Sequence, residues 1–189
     1  MAPPPVLPVE WQSQDIGSVG LAGVAGERDG VFTVTGEGID IWNAADAFHY
    51  VWQPIRGDVD IIARVSYVEN VHAWVKAGVM IRQQLTADSA HALMLVSPGK
   101  GLAFQRRVTP GGASVHTTGG SGVAPNWVKL ERRGDLIRAY RSTDGVEWTL
   151  VGTETIAMGA DVTVGLAVSS HVYNRLATAT FDNVTITPR

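Results

Sequence analysis

The chain is predicted to fold as an all-β sandwich of two antiparallel sheets. Three observations point there. Short stretches in which apolar and polar residues alternate recur along the whole chain. Turn-forming Gly, Pro, Asn and Asp separate these stretches about every eight to twelve residues, the spacing of a sandwich. No stretch longer than a turn carries a helical period, so the crossover helices that a parallel α/β fold requires are missing. The 21 Gly and 9 Pro suit a chain with this many turns. About twelve to fourteen strands are expected.

Residues 1–10, opening Ala2-Pro3-Pro4-Pro5-Val6-Leu7-Pro8, read as a Pro-rich linker or tail. Residues 11–189 read as a single sandwich domain, because no composition break divides them. Trp11 to Gly26 is rich in small residues and is expected as loop with one short strand. Val31 to Thr35 is a strand closed by Gly36 and Gly38, and Asp40-Ile41-Trp42 starts a further segment. Phe48 to Ile55 alternates, with Phe48, Tyr50 and Trp52 on one face and His49, Val51 and Gln53 on the other. Gly57-Asp58 turns the chain into Asp60 to Val68, where Ile61, Ala63, Val65 and Tyr67 share a side. Strands are then expected at Trp74 to Leu85, Ala90 to Val96, Leu102 to Val108, Ser114 to Thr117, Trp127 to Arg133, Leu136 to Ser142, Thr149 to Gly152, Val162 to Ser169 and Ala177 to Thr187.

Of these, Trp74 to Leu85 is the organising strand. Ala77, Val79 and Ile81 alternate with Lys76, Gly78, Met80 and Arg82. Two cations and a Met on the side away from the core predict the middle of a sheet whose outer face is a groove, and function is expected there.

Composition narrows the function classes. The formal charge of −3 and the absence of a concentrated basic run give no electrostatic reason to expect nucleic acid as a partner. No apolar run approaches the roughly 18 residues of a membrane span, so no membrane insertion is expected. With no Cys, disulfides, thiolate metal sites and Cys nucleophiles are excluded.

The chain resembles bacterial modules of the concanavalin A-like jelly-roll class, kin of laminin-G-like and DUF1349-type domains in secreted polysaccharide-active proteins. The residues that carry the resemblance are Asp40-Ile41-Trp42, Ala45-Asp46-Ala47-Phe48, Gly57-Asp58, Ala63-Arg64-Val65 and Lys76 to Arg82. Downstream they are Trp127-Val128-Lys129-Leu130, Ser142 to Trp148, Val164-Gly165-Leu166-Ala167 and Phe181-Asp182-Asn183-Val184. The resemblance implies a jelly-roll sandwich, carbohydrate binding as the common role of relatives, a secreted or cell-surface location, and neighbouring domains in a larger chain. The segment Asp60 to Arg82 also looks like the paired-strand region of keto-glycoside hydrolase relatives, yet no Glu or Asp occurs between Trp74 and Thr86.

Glycoside cleavage needs two carboxyl groups about 5 to 10 Å apart, and no strand supplies an acidic pair at alternate positions in the way related glucanases do. No catalytic residue is therefore assigned. Asp58 and Asp60 fall at a turn, and Asp40 and Asp46 read as loop caps. The five His show no metal-ligand spacing. The expected ligand set in the groove is His49, Gln53, Arg64, Lys76, Arg82 and His91, a group suited to hydroxyls or uronic carboxylates. An alternative is a hydrogen-bonded network that merely fills the sheet. Trp42, Trp52 and Trp74 are candidates for a stacking platform, while Trp127 and Trp148 are expected in the core. Ser142 to Trp148 resembles a single Asp-box hairpin and implies turn stabilisation. Asp182, with Asp15 or the Asp29-Gly30 turn, could hold a structural Ca²⁺.

The sequence thus leads to a noncatalytic polysaccharide-binding or oligosaccharide-binding module. Its rivals are a glycan-active enzyme in the same groove and a structural or adhesion spacer.

Overall fold

A computed structural model describes residues 6–189. The Pro-rich opening was expected over residues 1–10, and residues 1–5 of it lie outside the described residues. Of the remainder, Val6 bridges to Glu27 and Leu7 packs against the core.

Sixteen strands are present among the described residues: β1 (Gln12–Ile16), β2 (Val24–Arg28), β3 (Val31–Gly38), β4 (Ile41–Trp42), β5 (Ala45–Asp46), β6 (Phe48–Arg56), β7 (Val59–Val68), β8 (Lys76–Arg82), β9 (His91–Ser97), β10 (Gly101–Arg107), β11 (Ser114–Gly120), β12 (Asn126–Arg133), β13 (Leu136–Ser142), β14 (Thr149–Thr155), β15 (Asp161–Ser169) and β16 (Val172–Pro188). Fourteen of them form two antiparallel seven-stranded sheets. The front sheet runs β1-β6-β15-β8-β9-β10-β11 and the back sheet β14-β13-β12-β7-β16-β3-β2. The fold is the jelly-roll sandwich. Trp11 to Gly26, expected as loop with one strand, contains two, because β1 and β2 close opposite sheets by pairing with β6 and β3.

The core between the sheets is built as the alternation requires. Val51, Ala77, Val79, Ile81, Val164, Leu166 and Val168 of the front sheet meet Val34, Ile61, Ala63, Val65, Leu130, Ala179 and Phe181 of the back sheet. Tyr67 departs from the expected face. The register slips between Thr180↔Tyr67 and Phe181↔Val65, a bulge that reverses the alternation. Tyr67 therefore points outward and Val68 inward. Trp127 and Trp148 are not core either. They are half-buried, with Trp127 next to the inward-facing Val128 on β12. The Lys129 ammonium lies 4.2 Å from the Tyr140 ring and 4.8 Å from the Trp148 ring. The Ser142 to Glu147 turn is held as expected, since Asp144 Oδ1 accepts hydrogen bonds from the Val146 and Glu147 amides at 2.8 and 3.0 Å.

The outer face of the front sheet decides where a ligand can go. Phe48, Tyr50, Met80, Leu93, Leu95, Ala103 and Ala167 form a second apolar layer there, joined by Ile41 of the β4–β5 hairpin. That hairpin lies across the face as a roof, tied at Asp46 by its amide to the Ala87 carbonyl at 2.9 Å.

Candidate functional site

Under the roof, Arg82 and Arg107 flank Asp46. Arg82 Nη1 donates to Asp46 Oδ2 at 2.7 Å, and Arg107 donates to both carboxylate oxygens at 2.6 and 2.8 Å. Arg107 also donates to the carbonyls of Trp42 and Asn43, and Arg82 to that of Thr86. All three side chains are fully buried. Burial alone would raise the Asp46 carboxyl, but the charge of a protonated His91, the hydrogen bond from Arg107 and the charges of both arginines outweigh it, so it lies below its ordinary value. His91 beside them is pushed down to about 3 by burial. It is neutral at pH 7, so the arginines hold Asp46 ionised there.

Arg82 and His91 were expected to line an open groove. They do face away from the inter-sheet core, but the hairpin covers them, and at 0% exposure neither meets solvent. Asp46, expected as a loop cap, is the counter-ion that allows two guanidinium groups to be buried together. Other members of the expected set lie elsewhere. Arg64 is on β7 in the back sheet, paired with Asp182 at 2.9 Å. His49 and Gln53 share the face of Val51, which looks into the sandwich. Trp52 is 7% exposed within the outer apolar layer and offers no platform. Asp15 and Asp182, paired in the Ca²⁺ expectation, lie on different sheets, and each already has a partner, His49 and Arg64 respectively. Among the described residues no group of three or more His, Cys, Asp or Glu is arranged to hold a metal.

What stays open is a hollow of about 370 Å³ at the other end of the roof, lined by Asp40, Trp42, Trp74, Lys76, Gln105, His116 and His171. Three of these, Trp42, Trp74 and Lys76, were expected from the sequence. Lys76 is its post. The ammonium contacts Asp40 Oδ1 at 2.6 Å, Gln105 Oε1 at 2.7 Å and the Ile41 carbonyl at 2.9 Å, which uses all three protons. Burial lowers its pKa, and the Asp40 carboxylate opposes that shift. The Trp42 and Trp74 rings stand 5.4 and 5.8 Å from the ammonium.

Gln105 continues the polar string to His116, whose Nδ1 is 3.1 Å from the amide nitrogen. A neutral ring that accepts there carries its proton on Nε2, as a donor. His171 stands 3.4 Å from Asp40 and stacks on His72 with ring centroids 4.5 Å apart. Burial, Lys76 and Arg106 hold His116 below the ordinary imidazole range. For His171, burial, His72 and Lys76 outweigh the opposing pull of Asp40. Both rings are neutral at pH 7 and can exchange hydrogen bonds with uncharged hydroxyls.

Four lining residues were missed in the sequence. Gln105 had a signal, since it alternates outward with Ala103 and Arg107 between Leu102, Phe104 and Arg106. Asp40 was read only as a cap, and it does accept from the Ile41 amide at 2.8 Å. His116 and His171 had none, because their position depends on how β11 and the turn before β16 meet the sheet.

No protein-family model matches the sequence, and no curated protein matches it. Solved structures share the fold. A functionally unknown protein from Saccharomyces cerevisiae is 17% identical with a TM-score of 0.74, covering 95% of this chain and 97% of that one. The carbohydrate binding module CBM66 from Bacillus subtilis is 17% identical with a TM-score of 0.61, covering 95% of this chain and 96% of the module. The GH43 protein BlXynB from Bacillus licheniformis is 14% identical with a TM-score of 0.69; the match covers 97% of this chain and 38% of that protein. At such identities the likeness is one of fold.

Proposed function

We propose that the protein is a carbohydrate-binding module whose sugar site is noncatalytic, and that the hollow between Trp42 and Trp74 takes the sugar. The observation that carries this reading is the pairing of two partly exposed indoles with a pre-ordered polar floor of Asp40, Lys76, Gln105 and His116. A sugar ring presents C–H faces that pack on indole and hydroxyls that exchange hydrogen bonds with such a floor. A hollow of 370 Å³ is at the small end of ligand sites, the size for one or two sugar units. The reading extends to a polysaccharide or oligosaccharide partner, an extracellular setting, companion domains, and kinship with DUF1349-type and laminin-G-like modules. The sandwich shared with a carbohydrate binding module supports it.

A glycan-cleaving enzyme in the same hollow would need a second carboxyl group. The lining holds Asp40 as its single carboxylate, already engaged by Lys76. This favours binding without turnover.

Titration against a glycan array and by tryptophan fluorescence tests the proposal. Saturable quenching without product release is expected, and Trp42→Ala and Trp74→Ala are each expected to weaken binding about tenfold, or about 1.4 kcal/mol. If neither substitution weakens binding of any glycan that the protein takes up, the hollow is not the site.

A further inference from the structure

At the opposite edge of the front sheet, a serine, a histidine and an aspartate are joined end to end. Ser13 and Asp15 are two apart on β1, so they point to one side of the strand, and β6 places His49 directly opposite Asp15. Ser13 Oγ is 2.7 Å from His49 Nε2, and Asp15 Oδ1 is 2.7 Å from His49 Nδ1. The Gly23 amide donates to both Asp15 oxygens at 3.1 and 3.2 Å, which orients the carboxylate. Gly23 also lies on the imidazole, since a Cβ there would stand 2.2 Å from His49 Nδ1. The ring is buried, whereas Ser13 is exposed. The base is held and oriented while the hydroxyl meets solvent.

We propose that Ser13, His49 and Asp15 form a nucleophilic triad that hydrolyses small acyl esters at this edge. The order of atoms is the one the chemistry requires. Asp15 accepts from Nδ1–H and leaves the Nε2 lone pair facing the Ser13 hydroxyl. Ser13 Oγ adds to the ester carbonyl carbon as its proton passes to Nε2. The carbonyl–oxygen bond to the alcohol then breaks, and the alcohol departs with that proton. Water attacks the acyl-serine, giving its proton to Nε2, and the carboxylic acid leaves as Ser13 is reprotonated. Ester and water balance the reaction. Among the described residues β1 is the outermost strand of its sheet, and the outward amides of an edge strand are the type of donor a developing oxyanion needs. An open edge suits a small acyl group such as acetyl on an alcohol carrier.

The full chain incubated with a fluorophosphonate probe should gain one adduct by intact mass, mapped to Ser13 and absent in Ser13→Ala. Asp15→Asn, at matched melting temperature, should label at least about tenfold more slowly. Hydrolysis of p-nitrophenyl acetate should fall to the buffer rate in Ser13→Ala, which alters an exposed side chain and should keep the fold by circular dichroism. No adduct at Ser13, or ester hydrolysis unchanged by Ser13→Ala, overturns the triad and leaves the trio as hydrogen bonds that satisfy a buried histidine. Neither outcome depends on whether the hollow binds sugar.

Discussion

Asp46 is the residue on which the outer face of the front sheet depends. It is the shared counter-ion of Arg82 and Arg107, and without it two buried guanidinium groups face each other uncompensated. Asp46→Ala is expected to cost about 3–5 kcal/mol of stability, read from urea unfolding. A loss under about 1 kcal/mol would mean that the arginines find water when the carboxylate goes. The sequence shows Asp46 in a short Ala-rich stretch between Trp42 and Phe48, where a cap is the ordinary reading; its role as counter-ion depends on residues 36 and 61 positions away. Trp42, Trp74 and Lys76 were legible because local propensity does not place indoles beside turns or a cation at an outward position of a central strand. His49 and Gln53 were misplaced because alternation says that two faces differ and not which one looks into the sandwich, and Arg64 because it does not say which sheet a strand joins.

Among the elements, the β4–β5 hairpin has the largest consequence for function. It turns an expected open groove into a covered layer with a hollow at its end, and does so through Ile41 in the apolar layer and Asp46 in the ion cluster. Nothing in four strand residues announces that task. The strands beneath are more exacting than their alternation suggests. Gly165 of β15 lies between Trp52 and Met80, and a Cβ there would stand 1.9 Å from the Val51 carbonyl oxygen. Gly165→Ala must push β6 and β15 apart and is expected to lose about 3 kcal/mol or more, seen as a fall in the denaturation midpoint. A wild-type midpoint would show that the strand pair has slack the structure does not suggest.

For the whole molecule, the buried ionisable cluster sets how stability depends on pH. His91 has a folded value of about 3 against an ordinary 6.5, so between those limits the unfolded chain binds the extra proton. Stability therefore falls as pH drops below about 6.5, with a slope approaching 1.4 kcal/mol per pH unit. Asp46, also lowered, adds to the loss below its ordinary 3.8. Urea midpoints at pH 7 and pH 5 should differ by about 2 kcal/mol in unfolding free energy from His91 alone, and His91→Gln should flatten the slope. An equal slope in that variant would assign the acid sensitivity to other groups.

The sequence by itself determined the sandwich, most of its strands and the strand at its centre, because burial on one face imposes a two-residue period that survives in local composition. Only the tertiary structure decided which outward residues remain open. That depends on where a short hairpin comes to rest and which distant charges it carries with it, and such long-range pairing of ions and surfaces leaves no local period to read.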